Sequence, residues 1–300
     1  MRIAVTGATG FVGGHLLDAA ATSGHSVAAL TRRPQPPRQG IEWIAGSLDD
    51  RAALDRLVTG ADAVIHVAGV VNAPDVAGFE AGNVIGTGTV LAAAEKAGTA
   101  RFIHTSSLSA REPQLSLYGA SKARSEAIVA ASPLSTAIVR PPAIYGPGDR
   151  ELLEMFKMAA RGFVLLPPAG RLSLLHAADL ARLVIALAAP TALNGIVEPD
   201  DGHPGGWTHR EFGAMLGQAV GRKVRLAAMP KPVMALAAQA DRLFRGSNAK
   251  LTPDRAAYFC HPDWVADPAK APPPATWTAQ IPTAQGLTDT AAWYRSQGWL

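Results

Sequence analysis

Two kinds of hydrophobic run alternate through the first half of the chain. Short, unbroken and often β-branched stretches at Arg2 to Thr6, Ser26 to Thr31, Ala63 to Val67, Arg101 to Thr105 and Thr136 to Val139 have strand length without polar alternation, which predicts strands buried on both faces. Between them, Phe11 to Thr22, Arg51 to Val58, Ala77 to Ala97 and Tyr118 to Ala131 are amphipathic or alanine-rich and of helix length. Strand followed by helix in regular succession requires right-handed crossovers. The expected class is therefore α/β, a doubly wound parallel sheet covered by helices on both faces.

After Arg140 the pattern changes, because Pro141, Pro142, Pro147 and Gly148 interrupt it and a helix from Arg150 to Ala160 follows. Leu172 to Leu187 reads as one more strand and helix returning to the sheet. The expected domains therefore interleave: 1–148 with 172–200 for the sheet domain, and 149–171 with 201–300 for a smaller C-terminal substrate domain. Further helices are predicted at Thr208 to Val220, Pro232 to Phe244 and Ala284 to Ser296, with a proline-rich connector at Pro268 to Pro274. No internal repeat emerges.

With 48% hydrophobic and 17% charged residues, 300 residues suffice for a sizeable core. The formal charge of +4 arises from 28 basic and 24 acidic residues with no basic run, so a nucleic-acid partner is not expected and a small anionic ligand is. Cys260 is the only cysteine, which excludes an intramolecular disulfide and a cysteine-based zinc site and suits a reducing cytoplasm. Met1 to Val5 runs at once into glycines, unlike a signal peptide, and no membrane span is expected. Val233 to Ala240, the most lipophilic stretch, is expected to line a pocket or the core, with contact to a membrane surface as the alternative. A homodimer is compatible with the sequence, which does not fix the oligomeric state.

The first strand leads into Gly7, Gly10 and Gly13 and then a helix. Three glycines at this spacing mean little in a chain with 29, but their setting matches a turn that cradles a pyrophosphate on helix N-terminal amides. The second strand ends in Thr31-Arg32-Arg33 with no acid to accept a ribose 2′-hydroxyl, and two guanidinium groups suit a 2′-phosphate, so NADP is expected over NAD. Tyr118 and Lys122 stand four residues apart on one helix face, where the cation favours the phenolate and makes proton transfer accessible. Thr105, Ser106 and Ser107 put hydroxyls at the carboxyl edge of the sheet. Either serine could serve as the oxygen ligand. His66, His104 and His176 lack metal-ligand spacing and are expected in the core, with no metal site; Arg111 and Glu112 read as an exposed loop pair.

Together these residues resemble the extended short-chain dehydrogenase/reductase family, in its NAD-dependent epimerase/dehydratase branch, which has a Rossmann-type core. Thr6 to Gly13 looks like its dinucleotide motif, Val64-Ile65-His66-Val67-Ala68-Gly69 like its cofactor-lining strand, and Asn83 with Gly86-Thr87 like its long-helix signature. Val139 to Gly148, His176 to Ala181 and the terminal Trp293-Tyr294-Arg295 and Gly298-Trp299-Leu300 follow in the family's order. The resemblance implies Tyr118 as acid/base, Lys122 as ribose-binding partner and Ser107 as substrate-oxygen ligand. It further implies cofactor contacts from Gly7, Thr9, Gly10, Phe11, Val12, Gly13, Thr31, Arg32, Arg33, Ser47, Leu48, Val67, Ala68, Gly69, Thr105, Ser106, Pro141, Ala143 and Ile144. Ser47 stands where the family commonly has an adenine-contacting aspartate, and the spacing from Ser107 to Tyr118 is short for the family, which keeps Ser106 in contention. Three activities remain open: oxidoreduction of an apolar carbonyl or alcohol, nucleotide-sugar epimerisation or dehydration, and cofactor binding without catalysis.

Overall fold

In the computed structural model, which describes residues 1–246 and 251–300, the strand and helix alternation of the first half is realised closely. β1 (Arg2–Thr6), α1 (Phe11–Thr22), β2 (Ser26–Thr31), β3 (Ile41–Ala45), α2 (Arg51–Val58) and β4 (Ala63–His66) come first. β3 is a strand the pattern did not predict: Glu42 breaks the apolar run, and the exposure of Glu42 and Ala45 suits an edge strand. The single helix expected over Ala77 to Ala97 is three pieces: α3 (Val76–Phe79), a π-helical segment Glu80–Ile85, and α4 (Gly86–Lys96). β5 (Arg101–Thr105), a 3₁₀ turn at Leu108–Arg111, α5 (Leu117–Ala130) and β6 (Ser135–Val139) complete the run.

Beyond Pro141 come β7 (Ala143–Tyr145), α6 (Leu153–Ala160), β8 (Phe163–Leu166), β9 (Arg171–Leu172) and β10 (Leu174–His176). Then follow α7 (Ala177–Ala186), β11 (Gly195–Val197), β12 (Trp207–Thr208), α8 (His209–Ala219), β13 (Arg225–Ala228), α9 (Lys231–Arg245), α10 (Pro253–Phe259), β14 (Asp263–Trp264) and α11 (Thr283–Ser296). The strand expected to return to the sheet near Leu172 does not do so: β10 pairs with β7, and β11 takes the place beside β6.

Two compact units result. The first comprises Met1–Pro141, Ala178–Pro199 and Lys270–Trp277 and holds a seven-stranded sheet in the order β11-β6-β5-β4-β1-β2-β3, parallel throughout. It is the Rossmann-type doubly wound sheet. On one face, Leu54, Leu57, Val90, Leu91, Ala94 and Val129 from α2, α4 and α5 close over Val64, Phe102 and Ile138. The second unit comprises Pro142–Ala177, Asp200–Ala269 and Thr278–Leu300. Its core joins Phe156, Leu166, Leu174, Phe212, Leu216, Leu287 and Tyr294, over which the C-terminal Trp299 stacks on Tyr294 with ring centroids 5.9 Å apart.

Candidate active site

Strand order in the first unit reverses between β1 and β4, and the residues singled out by sequence gather at the carboxyl ends of those strands, where open α/β sheets bind ligands. Gly7 has φ of 76°, and a Cβ there would lie 2.6 Å from the Ala68 nitrogen, so only glycine lets the turn run under the chain leaving β4. At Gly13 a Cβ would come within 2.1 Å of the Gly7 carbonyl oxygen, which is why α1 can begin so close to the turn. Gly10 caps α1 with no side-chain hydrogen bond, and the first turn, with Phe11 and Val12, has no acidic residue. Its amides and the positive end of the helix dipole therefore suit an anion. The cradle fits a dinucleotide pyrophosphate.

Beside it lies a cavity of about 260 Å³ lined by Ala8, Thr9, Gly10, Gln35, Arg38 and Trp43, among others. Sequence reasoning missed the last three, which stand within or beyond the proline-rich loop Pro34 to Pro37. Arg38 is paired with Asp18 at 2.5 Å, whereas Arg32 and Arg33 are exposed. Thr31 is buried, and its hydroxyl donates to the Arg33 carbonyl at 2.6 Å, so it shapes the arginine turn. Ser47 donates to Asp49, and the Leu48 carbonyl accepts from the Thr89 hydroxyl at 2.6 Å.

Val67 and Ala68 are half-buried and Gly69 is exposed past the end of β4. A Cβ on Gly69 would lie 3.1 Å from Asn83 Oδ1 and 3.7 Å from Lys122 Nζ. Asn83 sits in the π-helical segment, accepts from the Val70 amide at 2.7 Å, and donates to the Val70 carbonyl at 2.9 Å and to Ser121 Oγ at 2.8 Å. π-helical turns recur at functional sites, and this one ties the β4 loop to α5. The sequence signal for Asn83 is its place with Gly86-Thr87 in the long-helix signature, and both Gly82 and Gly86 are closely approached by neighbouring side chains.

α5 begins at Leu117 behind the Ser116 cap, and a Cβ on Gly119 would meet the Ser109 carbonyl at 2.7 Å. The turn carrying half-buried Tyr118 thus packs on the 3₁₀ turn that Ser107 caps. Lys122 is 3% exposed and donates to the carbonyl of Thr105, the last residue of β5, at 2.7 Å. Burial lowers its pKa to about 8, opposed by the nearby Glu126 carboxylate. The buried Thr105 hydroxyl has no hydrogen-bond partner. Both proton-transfer candidates and the end of β5 therefore share one neighbourhood.

The two serines separate clearly. Ser106 is buried and donates to Glu126 at 2.5 Å, and Glu126 is held by Arg140 at 2.6 Å. Arg140 also reaches Glu198, which faces Arg111 at 3.6 Å and Lys270 at 3.5 Å. Arg111 is thus part of a buried ion cluster and not of an exposed loop pair with Glu112. Ser107 remains half-buried, and Ser109 donates to its Oγ at 3.0 Å. Pro141 closes the same region by accepting from the Leu108 amide, while Ala143 and Ile144 belong to the second unit.

His66 and His104 are buried in adjacent strands with rings 5.5 Å apart. His66 bonds Thr6 and Thr87 through its two nitrogens, and burial drives its pKa down to about 3. His176 packs edge-on against Tyr145. Among the described residues no cluster of histidine, cysteine and carboxylate side chains could hold a metal, and no helix is long and apolar enough to cross a membrane.

The model of the NAD dependent epimerase/dehydratase family matches residues 3–195. A ceramide reductase of Caulobacter vibrioides is 40% identical, aligned over 99% of this chain and 96% of its own. A 2-alkyl-3-oxoalkanoate reductase of Stenotrophomonas maltophilia is 35% identical over 54% of this chain and 56% of its own. The solved Bordetella bronchiseptica enzyme WbmG, in complex with NAD and UDP, has the same fold with a TM-score of 0.76 at 21% identity, covering 100% of this chain and 96% of its own. The chain belongs to the NAD-dependent epimerase/dehydratase family, within the extended short-chain dehydrogenases/reductases, and is an NAD(P)-dependent oxidoreductase.

Proposed function

We propose that this protein reduces the ketone of an apolar, long-chain substrate of the ceramide type, with Tyr118 as proton donor, Lys122 as its electrostatic partner and Ser107 as ligand of the ketone oxygen. The observation that carries the reading is the Lys122 ammonium, buried one helical turn from Tyr118 at the end of β5. Ceramide is a lipid amide and a 2-alkyl-3-oxoalkanoate is an alkyl-branched keto acid, so the names of both relatives favour an apolar carbonyl substrate over a nucleotide sugar.

The glycine turn and α1 amides would hold the pyrophosphate, and Lys122 the nicotinamide ribose. When bound, the reduced nicotinamide supplies hydride to the carbonyl carbon. Ser107 Oγ donates a hydrogen bond to the carbonyl oxygen as negative charge builds there. Tyr118 Oη then transfers its proton to that oxygen, giving the alcohol, and the Lys122 cation steadies the phenolate until solvent returns the proton.

The test is oxidation of NADPH driven by a long-chain β-keto amide. Tyr118→Phe should lower kcat by about a hundredfold or more while leaving cofactor affinity within about twofold, because it removes a proton and little binding. Ser107→Ala should lower kcat more than Ser106→Ala. Full activity of the Tyr118 variant would refute the mechanism, and micromolar binding of a UDP-sugar without ketone turnover would favour the epimerase reading.

A further inference from the structure

The lipophilic stretch Val233 to Ala240, expected to line a pocket or the core, does so only in part: it lies on α9, and part of it faces outward. Met234 and Ala238 are its buried residues, and Met234 Sδ lies 3.5 Å from Cys260 just past α10. Val233, Leu236, Leu243 and Phe244 are exposed by 49%, 68%, 82% and 85%. With Ala237 and Ala240 these positions follow the spacing i, i+3, i+4, i+7, i+10, i+11, one continuous stripe along a helix of 3.6 residues per turn.

Along the sequence, positive charge is concentrated around the stripe. Arg222, Lys223, Arg225, Lys231, Arg242 and Arg245 make six of the 28 basic residues, and Asp241 is one of the 24 acidic ones, so residues 222–245 carry a formal +5 while the whole chain is only +4. The remainder is formally −1. Arg222, Lys223, Arg225, Lys231 and Arg245 are all exposed. On β8, which pairs with β13 just ahead of α9, Phe163 and Leu165 are also 39% and 40% exposed.

We infer that α9 and its basic flank form a docking surface for an anionic lipid bilayer, on which the helix lies in the plane of the interface with Leu236, Leu243 and Phe244 inserted. A second copy of the chain would place five or six like charges opposite one another, whereas acidic headgroups complement them. A helix with a strong apolar face, cationic margins and low mean hydropathy is the form that binds interfaces without spanning them. The inference goes beyond the proposed chemistry, because it concerns where the protein sits and requires none of the residues at the nucleotide site.

Co-sedimentation of the full chain with vesicles tests it. The protein should pellet with vesicles of phosphatidylglycerol and phosphatidylcholine and far less with phosphatidylcholine alone, and added salt should release it. Leu243→Glu together with Phe244→Glu should lower partitioning about tenfold or more, with circular dichroism and turnover of a small water-soluble ketone unchanged. Lys223→Glu with Arg225→Glu, on a separate segment, should weaken anionic binding in the same direction. Wild-type protein that stays in the supernatant with anionic vesicles overturns the inference. So does a wild-type dimer, seen by sedimentation equilibrium, that the α9 variant breaks while vesicles remain unbound.

Discussion

Lys122 shows most directly how one residue's surroundings set its chemistry. Its ammonium is buried, yet it keeps a carbonyl acceptor at 2.7 Å and a carboxylate one helical turn away, and desolvation brings its pKa to about 8. Between about 8 in the folded state and 10.5 in the unfolded chain, the unfolded state binds more protons, so stability should rise as pH rises across that window. Ketone reduction should move the other way, because loss of the ammonium above about 8 weakens Tyr118 as an acid. A pH profile of kcat/KM for NADPH-dependent reduction should fall on its alkaline side near that value, and Lys122→Arg should move the fall upward. A flat profile from pH 7 to 10 would show that the cation does not assist the phenol.

At the scale of elements, cofactor choice is expected to rest on the turn after β2. Thr31 fixes the turn by donating to the Arg33 carbonyl, and the exposed Arg32 and Arg33 stand on it without an acid that would repel a 2′-phosphate. A charge-assisted contact from one guanidinium contributes about 1.5 to 3 kcal/mol, or roughly tenfold or more in affinity. Arg32→Ala and Arg33→Ala should each weaken NADPH and spare NADH in fluorescence titrations, Arg32 the more. Equal wild-type affinity for both cofactors, unchanged in the variants, would move selectivity elsewhere, with Arg38 beside the adjoining cavity as the next candidate. The π-helical segment is a second case: it aims Asn83 at both polar groups of Val70, which a regular helix read from periodicity does not anticipate.

At the scale of the first unit as a whole, buried charge joins segments far apart in sequence. Glu126 from α5, Arg140 after β6, Glu198 after β11, Arg111 from the 3₁₀ turn and Lys270 from the last segment form one cluster. Glu126 and Glu198 lie 6% and 1% exposed, so removing the central cation strands two buried carboxylates. Arg140→Met should destabilise the protein by about 3–5 kcal/mol, read as a lower urea midpoint at unchanged slope. A midpoint equal to the parent's would mean that Arg111 and Lys270 neutralise both acids unaided. Arg101 does similar work at the other end of β5, where its guanidinium donates to the carbonyls of Leu187, Ala192 and Leu193 and to Asn194 ahead of β11.

The sequence determined by itself the features that depend on local chain chemistry. The parallel strands β1, β2, β4, β5 and β6 follow from uninterrupted apolar runs, the phosphate cradle from glycines between a strand and a helix, and the shared face of Tyr118 and Lys122 from a spacing of four. Tertiary structure decided whatever depends on which distant groups meet. It separated Ser106 from Ser107 by placing Glu126 and Arg140 against one hydroxyl and leaving the other half-buried, a distinction that two adjacent serines cannot encode. It gave the seventh strand to β11, since short apolar runs look alike until a partner is known. It also turned part of a lipophilic stretch into an exposed helix face, because periodicity shows that a helix has an apolar side without showing what that side meets.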